Sequence, residues 1–230
     1  MDTSAYQAFA VKNLGGSFND VELLLMAFTH RSYVNEHKKT ASGHNERLEF
    51  LGDAVLELVV TEHLYNNFAD PEGVLTNWRS SLVRTESIGA AASRFDFEPL
   101  LRLSRGEKRG TPRARAQILA NCFESVIGAL YLDKGYEAAK TFIEKSLLIT
   151  FEEILKTGSW MDPKSHLQEL IQNKDGHTPS YRVLSEEGPD HDKIFTVGVF
   201  VDGQMKGEGQ GPSKQAAQVA AAESALLAYK

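Results

Sequence analysis

Between His44 and Leu58 the chain reads HNERLEFLGDAVLEL, with three carboxylates, Glu46, Glu49 and Asp53, at i, i+3 and i+7 of an apolar helical pattern. At about 100° per residue those positions fall within roughly 60° of one another on one helix face. Leu48, Leu51, Ala54, Val55 and Leu58 cover most of the rest. Acids stacked on a largely buried helix repel one another and lose hydration, so such a helix needs a compensating partner. A hard divalent cation is one, because Mg²⁺ takes carboxylate oxygens while keeping several waters. The spacing alone fits a solvated acidic face as well.

Composition narrows the class. The 230 residues have room for one large domain or two modest ones, with 42% hydrophobic and 24% charged residues, as in globular proteins. Cys122 is the single cysteine, which excludes an intramolecular disulfide and suggests a reducing, cytoplasmic setting. The opening MDTSAYQAFAVKNLGG lacks a basic start and a long apolar run, so no signal peptide is expected. No window approaches the roughly 18 apolar residues of a membrane span, so no membrane partner is expected. A net charge of −6 and a pI near 5.7 argue mildly against RNA, and against a structural subunit of a ribosome.

The pattern along the chain predicts two units. Helical periodicity runs near 20–28, 45–67, 75–94, 115–131 and 136–155, with Asn19–Asp20 as a start and Asp133–Lys134–Gly135 as a stop. Lys156–Asp162, KTGSWMD, precedes Pro163 and reads as a linker. Beyond it, a helix at Pro163–Asn173 leads into alternating stretches at Ser180–Glu186, Ile194–Val201 and Gln204–Gly209. An alanine-rich helix at Ser213–Tyr229 follows. Turn signals at Gly188–Pro189 and Asp202–Gly203 make the stretches antiparallel strands. The expected fold is an all-α first domain, 1–158, and an α-β-β-β-α second domain, 162–230.

The string NERLEFLGDAVL resembles the signature of ribonuclease III, the double-stranded-RNA endonuclease family. The resemblance implies an acidic cluster of Glu46, Glu49 and Asp53, with Glu49 a metal ligand and Glu46 and Asp53 catalytic acids. Asn45 and Arg47 match a polar flank and a salt-bridging arginine. Ile118–Asp133, ILANCFESVIGALYLD, matches the segment that supplies an aspartate and, three residues on, a glutamate. Glu124 is that glutamate, catalytic and ligating, but Asn121 stands at the aspartate position. Residues 121 and 124 share a helix face, so geometry is kept while one negative charge is lost. An amide oxygen still binds a hard cation, less strongly than a carboxylate. Asn121 is either natural to this lineage or an introduced Asp→Asn change.

Further matches cover the rest of the first domain. Leu25–Tyr33, LMAFTHRSY, reads mainly as scaffold, with His30 packed rather than ligating. Glu72, after Phe68, matches a supporting acid from a loop near the cluster; a solvated loop glutamate is the alternative. Arg79–Arg84 follows the family layout. Ser104–Arg115, SRGEKRGTPRAR, suits phosphate contact or plain solvation. Cys122 is assigned to packing.

The second domain resembles a double-stranded-RNA-binding domain. Gly209–Gln218, GQGPSKQAAQ, matches its last-helix motif, where Ser213 can cap the helix while backbone N–H groups and Lys214 face phosphate. Gln215 stands where a second basic residue is usual. Gly188–His191, GPDH, matches a loop whose His191 reaches into the minor groove, and Gln168 and Glu169 match contacts to ribose hydroxyls. Such domains read A-form shape more than sequence. Residues 160–230 hold seven Lys/Arg against ten Asp/Glu, a net −3, so binding should be modest and salt-sensitive.

The resemblance implies hydrolysis of double-stranded RNA with Mg²⁺, for which Mn²⁺ can substitute, leaving 5′-phosphate and 3′-hydroxyl ends with short 3′ overhangs. It also implies a homodimer of the catalytic domain and processing of ribosomal RNA precursors and other structured RNA. Phe50, Phe68 and Val55–Val60 could form the dimer seam or intrachain core. The alternative function is a double-stranded-RNA-binding protein impaired in cleavage by Asn121.

Overall fold

The periodicity resolves into helices that break more often than the sequence suggests. In this computed structural model residues 3–38, 41–158, 160–189 and 192–228 are described. The chain divides into two units, Met1–Ile154 and Leu155–Lys230. The first unit holds α1 (Ser4–Asn13), α2 (Val21–Ala27), α3 (Arg31–Glu36), α4 (Glu46–Asn67), α5 (Glu72–Val83), α6 (Thr85–Arg94), α7 (Pro112–Lys134) and α8 (Tyr136–Ser146). The helix α9 (Phe151–Thr157) runs through the boundary. The second unit holds α10 (Pro163–Asp175), β1 (Ser180–Glu187), β2 (Ile194–Val201), β3 (Gln204–Gly211) and α11 (Lys214–Ala228).

Local chemistry sets these boundaries. Asp20 caps α2, its side chain accepting from the Glu22 N–H at 3.0 Å. Asp133, at the far end of α7, accepts from the Asn19 and Asp20 N–H groups at 2.9 and 2.8 Å, tying that end to the start of α2. Gly135, at φ 83°, stops α7 as expected. The pattern expected over 75–94 is two helices, because Arg84 is extended at φ −68°, ψ 151°. Ser87 Oγ donates to the Ser81 carbonyl at 2.8 Å and satisfies the end of α5. The 136–155 pattern also splits, at a 3₁₀ turn over Leu148–Thr150, and Arg94 holds the Ser146 carbonyl at 2.7 Å.

The first core forms where α4 meets α7. Leu48, Val55, Leu56, Val59, Val60 and Leu64 of α4 and Ile118, Phe123, Val126, Ile127 and Leu130 of α7 are buried in it, with Ser125 among them. Phe28, Phe97, Phe123 and Phe142 extend it as a chain of rings with successive centroids 5.2, 5.7 and 5.2 Å apart. Phe68, one candidate for a dimer seam, packs inside its own chain against Trp78 and Phe151, at 5.2 and 5.4 Å. Val55, Val59 and Val60 are buried in the core as well. Of the two readings left open for these residues, the packing favours intrachain core, with Phe68 partly buried.

The second unit is a three-stranded antiparallel sheet, order β1-β2-β3. Val197, Val199 and Val201 point to one side, by the period of two, and meet Leu167 and Ile171 of α10 and the buried alanines of α11. A side chain at Gly209 of β3 would strike the α11 backbone, so glycine lets helix and strand touch. Among the described residues, no helix is long and apolar enough to cross a membrane.

Candidate active site

The acids of α4 and α7 meet because two glycines let the helices cross backbone to backbone. A Cβ on Gly52 would overlap the Glu124 carbonyl, and one on Gly128 would overlap the Leu48 carbonyl. Gly52 lies between Glu49 and Asp53 in sequence, and Gly128 lies one turn beyond Glu124. The crossing therefore brings Glu49 and Asp53 towards Asn121 and Glu124. Ser125 reinforces it, its Oγ donating to the Asn121 carbonyl at 2.7 Å and the Asn45 carbonyl at 3.3 Å. Glu46 and Glu49 occupy the first turn of α4, where the helix dipole favours negative charge.

The electrostatics identify the cluster. Burial, then the charges of Asp53 and Glu49, push the Glu124 carboxyl up to about 8. Burial and the Glu46 charge raise Glu49, the Asn121 amide pulls it back, and Asp53 adds to the rise. Carboxylates that oppose one another's ionisation from two helices make a site that favours a cation. Among the described residues no three His, Cys, Asp or Glu side chains form a ready metal-binding group. The oxygen set of Glu49, Asp53, Glu124 and the Asn121 amide nevertheless fits a hard divalent ion, with water supplying the remaining positions.

The other expected site residues are placed differently. Glu46 is turned outward, paired with Arg31 at 3.3 Å and His44 at 3.7 Å. Glu72 begins α5 and lines an open groove of about 440 Å³ with Thr61, Leu64, Tyr65 and Arg79. Thr61 is eight residues past Asp53 on α4, roughly 12 Å along the axis at 1.5 Å per residue. Glu72 is thus not brought into the cluster of its own chain. His30 Nδ1 caps α3, accepting from the Ser32 N–H at 3.3 Å. Cys122 is fully buried, its thiol raised by desolvation, and packs against the Ala27 carbonyl. In the basic loop, Arg115 pairs with Glu98 at 3.1 Å while Lys108, Arg109 and Arg113 stay exposed.

Phe50 is the outlying apolar group, 81% exposed, and shares a stripe of α4 with Leu58 (57%) and Tyr65 (78%). These three span the helix from beside the acids to the groove that holds Glu72.

In the second unit Gln168 and Glu169 are exposed on α10. Ser213 caps α11, accepting from the Ala216 N–H at 3.1 Å. Lys214 is held at 3.1 Å by Glu186 of β1, with its ammonium 5.5 Å from the Phe195 ring. Glu186 also reaches Lys193 at 3.5 Å, and the two lysines hold its carboxyl below the usual range. His191 lies outside the described residues. Sequence reasoning missed Glu186, because strand alternation does not tell which strand acid meets a helix start. It missed Gln117 too, which donates to Asn121 Oδ1 at 2.7 Å; its i, i+4 spacing was the available signal.

Comparison with known proteins agrees with this architecture. Residues 20–151 match a family model described as ribonuclease-III-like, and residues 163–229 match the double-stranded RNA binding motif. The chain is 46% identical over 213 residues to ribonuclease 3 of Enterococcus faecalis, covering 91% of each. It is 44% identical to that of Listeria welshimeri, covering 94% of each. A solved ribonuclease III nuclease domain from Campylobacter jejuni, studied for flexibility in a region involved in dimer formation, is 38% identical with a TM-score of 0.53. That match covers 60% of this chain and 96% of that one. With its acids gathered at a helix crossing and its second unit built on the RNA-binding pattern, this chain belongs to the ribonuclease III family of double-stranded-RNA endonucleases.

Proposed function

We propose that the chain hydrolyses double-stranded RNA with Mg²⁺, which Mn²⁺ can replace, held by Glu49, Glu124 and Asn121. The observation that carries this reading is the α4–α7 crossing at Gly52 and Gly128, which sets Glu49 and Asp53 towards Asn121 and Glu124. An ion held there would supply Lewis acidity, making water a better nucleophile and offsetting charge on the scissile phosphate. Glu49 and Glu124 hold their oxygens towards that point, and Asp53 adds negative charge beside them. Glu46, tied to Arg31, acts from the rim as the remaining catalytic acid. The products carry 5′-phosphate and 3′-hydroxyl ends.

Residues 1–158 cut and residues 162–230 bind. Gln168, Glu169, Ser213, Lys214 and His191 are the RNA contacts, meeting ribose hydroxyls, phosphate and minor groove. Two copies joined along the Phe50 face give one site per strand and short 3′ overhangs, because strand spacing across the duplex is fixed. In such a pair Glu72 supports a cluster that its own chain does not place it in. Cytoplasmic ribosomal RNA precursors and other structured RNA are the substrates. The alternative of a binding protein impaired by Asn121 is not favoured, since Asn121 still faces Glu49 and keeps an oxygen donor.

The test is cleavage of a perfect RNA duplex of about 50 base pairs under titration with Mg²⁺ and Mn²⁺, this chain beside its Asn121→Asp variant. Cutting by both, faster with Asn121→Asp, is expected. Binding without cutting by either would overturn the catalytic reading.

A further inference from the structure

A duplex brought to the α4–α7 crossing sets its phosphates beside Glu46, Glu49, Asp53 and Glu124, so positive charge held on the protein's side favours the approach. The structure holds such a charge at the rim. Arg31, the first residue of α3, donates from Nη1 to Glu46 Oε1 at 3.3 Å. Glu46 stands one turn before Glu49 on α4. The base of Arg31 is fixed against that helix, because the Asn45 N–H donates to the Thr29 carbonyl at 2.9 Å and both residues are buried. Between them, the His30 N–H donates to the Arg102 carbonyl at 3.0 Å. The rest of α3 is tied as well. Ser32 Oγ accepts from the Ser104 N–H at 3.1 Å, and the Glu36 carboxylate accepts from the Arg105 N–H at 3.3 Å. The Arg31 side chain is nevertheless 65% exposed, and its contact with Glu46 uses one of several N–H donors. An exposed pair of this kind contributes little to folding.

We infer that Arg31 is a substrate-binding residue of the cutting site: it takes a phosphate oxygen of the strand entering the cluster, and Glu46 positions its guanidinium for that contact. This rests on the reading of the α4–α7 acids as the site that cuts. A long side chain at the surface samples many rotamers, and a carboxylate that selects one lowers the ordering cost when phosphate arrives. Glu46 suits that part because its second oxygen lies 3.7 Å from His44 Nδ1, which gives the carboxylate an orientation of its own. Phosphate and Glu46 need not exclude each other. A lysine ammonium is a point charge, whereas an arginine fork presents separate edges to two anions, and its planar donors match phosphate. The part that Glu46 plays at the rim is then exerted through Arg31.

The experiment follows cleavage of the same perfect RNA duplex by the full chain, with KM and kcat at several salt concentrations. Mn²⁺ dissociation constants are measured beside it by calorimetry, with no RNA present. Arg31→Gln, Arg31→Lys, Glu46→Gln and the Arg31→Gln, Glu46→Gln double variant are compared with the native chain. Arg31→Gln should lower kcat/KM about tenfold, the scale of one charged hydrogen bond, and reduce its salt slope by about one. It should leave Mn²⁺ binding unchanged or tighten it, because a positive charge has been taken away from the acids. Arg31→Lys should recover only part of the loss, since it restores charge without the fork. Glu46→Gln should lower kcat/KM in the native background and change it less than about twofold beside Arg31→Gln. Cleavage unaffected by Arg31→Gln, or a loss matched by weaker Mn²⁺ binding, would overturn the phosphate contact while leaving the cutting site standing. Full losses from Glu46→Gln in both backgrounds would overturn its positioning of Arg31. A native chain that never cuts would remove the cutting site and the inference with it.

Discussion

Gly52 of α4 and Gly128 of α7 lie backbone against backbone, each where a methyl group would overlap the other helix. No side chain yields at this contact, so the helices would have to separate. Gly52→Ala and Gly128→Ala should each cost about 2–4 kcal/mol, at or above the usual range for overpacking. Urea unfolding reads the loss as a lower midpoint, and cleavage should fall with it because the acids are carried apart. An unchanged midpoint would show that the crossing is looser than described.

The acid cluster gives a pH dependence of definite sign. Glu124 ionises in the folded protein at about 8, against 4.5 for an ordinary glutamate. A group with a raised folded pKa contributes stability in full below its unfolded value, and that contribution is lost as pH rises through the folded one. Without divalent ions, the native chain should therefore lose stability between about pH 4.5 and 8 relative to Glu124→Gln. After discounting for solvent screening the difference is about 1–2 kcal/mol. Thermal melts in chelator across that range check it, and added Mg²⁺ should favour the native chain again.

Phe50 is a large apolar group in water beside the active cluster. Burying a phenylalanine is worth about 1.5–3 kcal/mol, and a two-fold axis counts it twice. Phe50→Asp should weaken a dimer more than about a hundredfold, converting it to monomer at micromolar concentration in light scattering. Cleavage per chain should drop alongside. A dimer that survives the change would move the interface elsewhere.

Lys214 and Glu186 should act on RNA affinity with opposite signs. A phosphate approaching Lys214 would meet the Glu186 carboxylate already paired with that ammonium. Lys214→Gln should weaken duplex binding about three- to tenfold and reduce the salt slope by about one. Glu186→Gln should tighten binding about two- to fivefold by removing a competing anion. Binding measured at several salt concentrations separates them. Loss of affinity on Glu186→Gln would mean that the glutamate organises the lysine rather than competing for it.

How far these features could be read in advance depends on their range. The helix bearing Glu46, Glu49 and Asp53 was legible because an amphipathic period writes itself into local spacing. The capped ends at Asp20, Gly135 and Ser213 were legible for the same reason. The break at Arg84 was not, since it depends on Ser87 reaching back to the Ser81 carbonyl. Phe68 and Phe50 look alike in a string, and only the packing of Trp78 and Phe151 assigns the first to the core. Gly52 and Gly128 stand in quoted segments, yet their meaning lies in a contact between residues 76 positions apart. Glu72 shows the reverse case, an acid expected near the cluster that its own chain holds beside the far part of α4.

Cys122, on the part of α7 that meets Ala27 at the end of α2, has no solvent access and a thiol that resists ionisation. Being the single cysteine of the chain, it is a built-in clock. A thiol-specific dye can reach it only during those moments when the nuclease unit opens, whatever the RNA-binding unit is doing. The rate of colour development therefore times the breathing of one unit inside the intact chain, with no label added and no residue changed.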